Sequence, residues 1–202
     1  ERNPRPIVSS HGIVGRRLTS EKPSVLFRAE LLARRLLGKT NWSPHMPAER
    51  VRAALDPDFW NRALKISSVR NPFAREVSEF YWWATKRGAD LSDRDSVIEQ
   101  FRARVRSGLT HNDVGIVFLG KRFVPDVLIH QETLREDLAA LAERLGLDTS
   151  MTRLPVTKKT ASSERSARPS LRELYDDETA DIVRKRFKWA FRHGNYSLEV
   201  PE

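Results

Sequence analysis

Short apolar runs alternate along the chain with stretches of helical period, and the sharpest change between the two falls within residues 64–83. Leu64, Ile66 and Val69, with two serines among them, suit a strand. Asn71 followed by Pro72 marks a helix start, because an asparagine side chain can accept from the free N–H groups of a first turn and proline arrives with a helical φ. Beyond that corner Phe73, Val77, Phe80 or Tyr81, and Ala84 recur at the spacing of one helix face. The pattern predicts a strand, a tight corner and a packed helix, with Arg70 at the carboxyl end of the strand and Ser78 along the helix.

The same reading covers the rest of the chain. Residues 1–23 are loop-like, with a short strand at Ile7-Val8, and an amphipathic helix over 24–37 closes at Gly38. A loop punctuated by Pro44 and Pro47 leads into a short helix over 48–55. Val97, Phe101 and Val105 mark the inner face of a helix over 96–106. Residues 116–119 and 122–124 flank Gly120-Lys121 as a hairpin, with glycine where φ must be positive. Val127-Leu128-Ile129 reads as a buried parallel strand, and Leu134, Leu138, Leu141 and Leu145 face inward on a helix over 131–145 that ends at Gly146. Residues 151–169 are basic, rich in Ser and Thr, and aperiodic, which suits a flexible linker. Ser170 and Glu173 form a capping box, after which a last helix starting at Asp176-Asp177 buries Ile182-Val183, Phe187 and Ala190-Phe191 and ends near Gly194. Strands alternating with helices place the chain in the α/β class, as a single domain over residues 1–202.

Composition narrows the chemistry. With 202 residues, 39% of them hydrophobic and 31% charged, the chain can bury a real core. No apolar run reaches bilayer length, and no signal-peptide pattern is present, although a start at Glu1 without Met suggests trimming. The absence of cysteine excludes disulfides, thiolate catalysis and cysteine-ligated zinc, and leans towards the cytoplasm. The five histidines show no metal-site spacing. A net charge of +9 favours anionic partners, whether nucleic acid, an acidic membrane surface, a polyanionic glycan or a nucleotide carrying several phosphates. The arginines are scattered, which suits solvated helix faces better than one binding stripe.

An arginine fork and a hydroxyl converging at the carboxyl edge of an α/β sheet would suit a phosphate. The plainer alternative is that Arg70 caps the corner or pairs with a nearby carboxylate. The stretch V-R-N-P-F-x-R-x-V-S-x-F-Y resembles the 3′-phosphate-binding segment of sulfotransferases that use 3′-phosphoadenosine 5′-phosphosulfate (PAPS), especially the carbohydrate-type branch. The resemblance spans about residues 42–198. It implies that Arg70 and Ser78 hold the 3′-phosphate of the nucleotide. His45, in P-H-M-P-A, matches the family's loop histidine and would be the base for the acceptor hydroxyl, a role that suits an imidazole titrating near neutrality. The loop after Leu154-Pro155 matches one that closes over the nucleotide, so Lys158 or Lys159 would touch phosphate. Glu132 and Leu134 match the E-x-L pair opening a later helix. The bare residues make Glu132 a carboxylate at a helix N-terminus and His130 the end of a strand. Residues 175–197 resemble the family's C-terminal helix and its ending.

What the resemblance implies is a P-loop-NTPase-like, three-layer α/β/α fold with a short parallel sheet, transferring a sulfuryl group from PAPS to a carbohydrate hydroxyl without a metal. One piece of the pattern is missing. No loop of the K-T-G-G-T-S or K-x-G-S-T type precedes Ala29, and Gly38-Lys39-Thr40 follows a helix rather than a strand. The expectation is therefore an N-terminal strand and phosphate loop removed from this chain; next, a loop supplied by another chain; last, a relative that binds without transferring. Two rivals stand beside the enzyme. One is a basic nucleic-acid-binding module using the aromatic cluster Phe80-Tyr81-Trp82-Trp83, which core packing explains better; the other is an inactive scaffold.

Overall fold

The computed structural model describes residues 45–147 and 168–202, together with the backbone of two short strands nearer the start. In chain order these are β1 (Val8–Ser9), β2 (Gly12–Ile13), α1 (Ala48–Ala54), α2 (Pro57–Arg62), β3 (Ile66–Val69), α3 (Pro72–Lys86) and α4 (Arg94–Ser107). There follow α5 (Val114–Val117), β4 (Phe118–Leu119), β5 (Arg122–Phe123), β6 (Val127–His130), α6 (Leu134–Arg144), α7 (Leu171–Leu174), α8 (Asp177–Arg186) and α9 (Lys188–His193). The class is mixed α/β, mostly helical, with a short parallel sheet. The helix expected over 24–37 and the loop expected over 151–169 lie outside the described residues, apart from Arg168 and Pro169.

The chain divides into two compact units, residues 1–64 with 113–124 and residues 65–112 with 125–202. In the first, β1 and β2 pair antiparallel, one residue later than expected. Helix α2 was not foreseen, yet its signal is local: Asp56 accepts from the Phe59 N–H at 3.0 Å and Pro57 occupies the first helical position. The hairpin turns at Gly120 (φ 57°), but its strands are shorter than expected, because residues 114–117 form a helical turn after Asp113 (φ 54°). An apolar run of four fits either state, so periodicity could not choose.

In the second unit β3 and β6 run parallel, Ile66 opposite Val127 and Val69 opposite His130. Lys65 fixes their start, its backbone N–H donating to Asp126 Oδ2 at 2.9 Å and its ammonium reaching the same oxygen at 3.3 Å. Alternation sends Val69 and Leu128 to the core and leaves Ile66 46% exposed. Helix α3 buries Phe73, Phe80, Tyr81 and Ala84, the face the pattern named. Its end at Gly88 (φ 65°) is a Schellman closure, with Ala89 N–H returning to Ala84 O at 3.0 Å. Helix α4 buries Val97, Phe101 and Val105 as expected, capped by Asp93. Helix α6 departs from expectation at its end: Leu145 is 45% exposed, because it lies beyond the last helical turn rather than on the inward face. The expected last helix is two, broken at fully buried Phe187, whose ψ of 24° stops α8 and starts α9.

What binds these helices is a run of aromatic edges. Phe73 meets Phe191 at 5.3 Å and Tyr175 at 5.1 Å; Tyr175 meets Phe101 at 4.9 Å, and Phe101 meets Phe80 at 5.5 Å. The Tyr175 hydroxyl, buried among them, donates to the Phe73 carbonyl at 3.0 Å. Polar bonds seam the surface of the same packing. Arg102 donates to the carbonyls of Leu174 and Glu173, Arg106 to Asp176 and Glu178, and Arg94 to Glu173. Among the described residues, no helix is long and apolar enough to cross a membrane.

Glu76 is the exception within this core. It is 2% exposed, and only its Oε2 is bonded, by the Thr110 hydroxyl at 3.0 Å. Burial raises its carboxyl above the ordinary range, against the pull of the Thr110 bond and of Arg186. Glu173 moves the other way, to about 2, because Arg94 and the Ser170 cap hydrogen-bond its carboxylate.

Phe73→Ala should lower unfolding free energy in urea by about 3–5 kcal/mol, and Phe59→Ala, at an exposed ring, by no more than about 0.5 kcal/mol. Equal losses would remove the aromatic run from its central place. The two carboxylates predict opposed pH slopes. With its folded pKa raised, Glu76 takes up a proton on folding, so its contribution is fully present at low pH and is lost as pH rises from the unfolded carboxylate value through the raised one. With its folded pKa depressed, Glu173 contributes above the unfolded value, and that contribution disappears as pH falls towards about 2. Urea titrations across pH should find the upper slope flattened in Glu76→Gln and the lower slope flattened in Glu173→Gln.

Candidate functional site

The register of the parallel pair brings Val69 and His130 level, so the segments that leave the two strands, Arg70-Asn71 and Gln131-Glu132, lie side by side. In open α/β sheets this carboxyl edge is where ligands collect. Asn71 caps α3 as its sequence foretold: its Oδ1 accepts from the N–H groups of Phe73 at 3.0 Å and Ala74 at 3.3 Å, with Pro72 at the first position. The N–H of Asn71 itself donates to Glu132 Oε1 at 2.7 Å.

Glu132 therefore does more than sit at a helix start, and the expectation of a purely dipolar role is corrected. Its second oxygen, Oε2, accepts from the Tyr196 hydroxyl at 2.7 Å. Burial first, and then this bond to a carboxylate, raise the Tyr196 phenol above its ordinary range, with the Arg70 charge opposing them. His130 is the end of its strand, as expected, and a hub of the fold. Its backbone N–H and Nδ1 meet Asp137 Oδ2 at 2.7 and 2.9 Å, its Nε2 meets the Gly194 carbonyl at 3.1 Å, and its ring lies edge-on to Tyr196 at 5.7 Å. These bonds hold the Asp137 carboxyl below its ordinary range. Gly194 lets Tyr196 come this close, since a Cβ there would lie 2.6 Å from the Ala190 carbonyl and 2.7 Å from the Tyr196 ring.

Arg70 is half-buried at this edge. Among the described residues its guanidinium has no hydrogen-bond or ion-pair partner, so the plainer alternative of a capping or carboxylate-paired arginine is not what is found. Ser78 is exposed on α3, two turns past the cap, and its hydroxyl likewise makes no bond to a described residue. Both belong to the second unit, whereas His45 belongs to the first. His45 is exposed in a turn just before α1, with φ of 58°, a left-handed conformation that few non-glycine residues adopt, though histidine does so more readily than most. Buried Met46 and Ala48 anchor the chain beyond it. Lys158 and Lys159 lie outside the described residues. Of the aromatic cluster, Phe80 and Tyr81 are core as expected, but Trp82 is 50% exposed, with the Lys86 ammonium 4.1 Å from its ring centroid.

The arrangement defines an α/β protein with a free cation at the carboxyl edge of a parallel strand pair, beside a capped helix N-terminus. Compared with protein-family models, curated proteins and solved structures, the chain matches none of them. The Asn71 cap and the placement of Arg70 at the strand end and Ser78 along the helix were legible in the sequence; the bonds of Glu132 to Asn71 and Tyr196 were not, since no local signal marks them. Asn71→Ala should cost about 0.5–2 kcal/mol of stability in urea, the ordinary worth of an N-cap, because two first-turn N–H groups lose their acceptor. An unchanged midpoint would mean that the bond from the backbone N–H of residue 71 to Glu132 holds the corner unaided.

Proposed function

We propose that the chain is a PAPS-dependent sulfotransferase acting on a carbohydrate hydroxyl, with a fold of the three-layer α/β/α type that this activity uses. The observation that carries the reading is Arg70, a half-buried guanidinium without a described partner at the end of a parallel strand. Half-burying a cation costs solvation that the protein does not recover from a carboxylate here, so an anionic ligand is the natural counter-charge. A phosphate monoester matches the planar fork.

In this reading Arg70 and Ser78 hold the 3′-phosphate, and Lys158 or Lys159 adds charge from the loop that closes on the nucleotide. PAPS supplies an activated sulfuryl group. His45 takes the proton of the acceptor hydroxyl as its oxygen bonds to sulfur, while the bond from sulfur to the phosphate oxygen breaks and the electron pair leaves with the bisphosphate. The work of the protein is to orient the reactants and to stabilise the charge that develops on the leaving group. The scheme calls on no metal ion, and the partners are a nucleotide and a sugar rather than a membrane. No residues are assigned to the 5′-phosphosulfate.

A second reading, a nucleic-acid-binding module, draws on Trp82 and Lys86, which together offer a stacking face beside a cation. Duplex or single-strand binding with a steep salt slope would support it over the enzyme.

Calorimetric titration should find that the chain prefers adenosine 3′,5′-bisphosphate to 5′-AMP, and that Arg70→Ala abolishes the preference. Equal affinity for the two nucleotides would sink the 3′-phosphate site. His45→Ala should abolish sulfuryl transfer while bisphosphate binding persists, and loss of both together would assign His45 to the fold instead. Bisphosphate binding by the wild type without transfer to any hydroxyl acceptor would point to the inactive scaffold.

A further inference from the structure

Arg70 stands next in sequence to a residue whose backbone is bonded by a carboxylate, yet it is not paired with that carboxylate. The N–H of Asn71 donates to Glu132 Oε1 at 2.7 Å, so the Glu132 carboxylate is bonded to the backbone next to Arg70. A carboxylate beside a half-buried guanidinium ordinarily forms a bidentate pair with it. Here both oxygens are engaged elsewhere, Oε1 by the Asn71 N–H and Oε2 by the Tyr196 hydroxyl, also at 2.7 Å. Tyr196 in turn is fixed from behind. Its ring packs edge-on against His130, and it lies so close to Gly194 that no side chain fits there. The influence of the Arg70 charge on the Tyr196 phenol places the two in the same electrostatic neighbourhood.

We propose that Tyr196 and Glu132 are positioning residues for the anion site: the tyrosine hydroxyl holds the glutamate away from Arg70, and so keeps the guanidinium open to a phosphate. The inference rests on the reading of Arg70 as an anion ligand and names what keeps it one. Without the hydroxyl, Oε2 of the exposed Glu132 loses the donor that directs it. The carboxylate, then held by the Asn71 N–H alone, is free to swing towards Arg70 and compete with the ligand for the guanidinium.

The test is a double-variant cycle on the full chain, with adenosine 3′,5′-bisphosphate as the titrant in the calorimeter. Tyr196→Phe should weaken binding on the order of tenfold, the scale of one charge-assisted hydrogen bond, while the urea midpoint shows that the fold persists. Adding Glu132→Gln to Tyr196→Phe should restore affinity, because a neutral amide cannot compete for the guanidinium. A structural role for the pair makes the opposite forecast, since removing both partners would weaken binding at least as much as removing one. Unchanged affinity in Tyr196→Phe, or no recovery in the double variant, overturns the proposal. Failure of the wild type itself to prefer the bisphosphate, with Arg70→Ala indistinguishable from it, overturns the anion site and the positioning role together.

Discussion

The second unit depends on an edge-to-face run of rings, Phe191 to Phe73 to Tyr175 to Phe101 to Phe80, drawn from α3, α4, α9 and the end of α7. Two parallel strands cannot make a core by themselves, and a parallel pair survives only where helices cover it. Each ring contact adds about 0.5–1.5 kcal/mol beyond the area it buries. More to the point, the run is directional. Edge-to-face packing sets the angle at which each helix meets the next, and the bond from the Tyr175 hydroxyl to the Phe73 carbonyl fixes the first turn of α3 against it. The helix start that carries Asn71 is therefore held from the core side by aromatic contacts and from the strand side by its cap.

That rigidity bears on how the positive charge is spent. Arg94, Arg102 and Arg106 on α4 are turned to Glu173, Asp176, Glu178 and nearby carbonyls, and Arg104 reaches Glu79. Several are exposed, and such pairs contribute little each. Their value is to satisfy the helix ends they join. The charge of these four arginines is thus engaged within the unit, and net charge alone is a poor guide to a ligand. Arg70 differs in kind: it is half-buried, yet among the described residues it has no carboxylate partner.

Local chemistry was legible from the chain, and distant chemistry was not. The corner Val69 to Pro72 could be read because the residues that make it also satisfy it, Asn71 accepting from N–H groups two and three residues on. The inner faces of α3 and α4 were legible for a similar reason, since a helix long enough to show its period declares which side is buried. The short apolar run over residues 114–117 was too brief for any period, and became a helical turn. Leu145 kept the spacing of its helix but fell past the end, where spacing carries no information about burial. Glu132 is the clearest failure. Its two partners lie 61 and 64 residues away in opposite directions along the chain, and nothing in its own neighbourhood marks it as anything beyond a helix-start carboxylate.

The same separation explains why a site at this edge is a property of the folded unit rather than of a motif. Asn71, Glu132 and Tyr196 come from three remote stretches, joined by two bonds of 2.7 Å. Those bonds form only once β3 and β6 are in register and the segment after α9 has packed on His130. Until then Arg70 and Glu132 are simply opposite charges on a flexible chain, free to meet. In the folded unit the carboxylate has two directed donors, whereas among the described residues the guanidinium has no hydrogen-bond or ion-pair partner. The strand-to-helix corner supplies the cation, and the anion site proposed for it would depend on the integrity of contacts made well outside the corner.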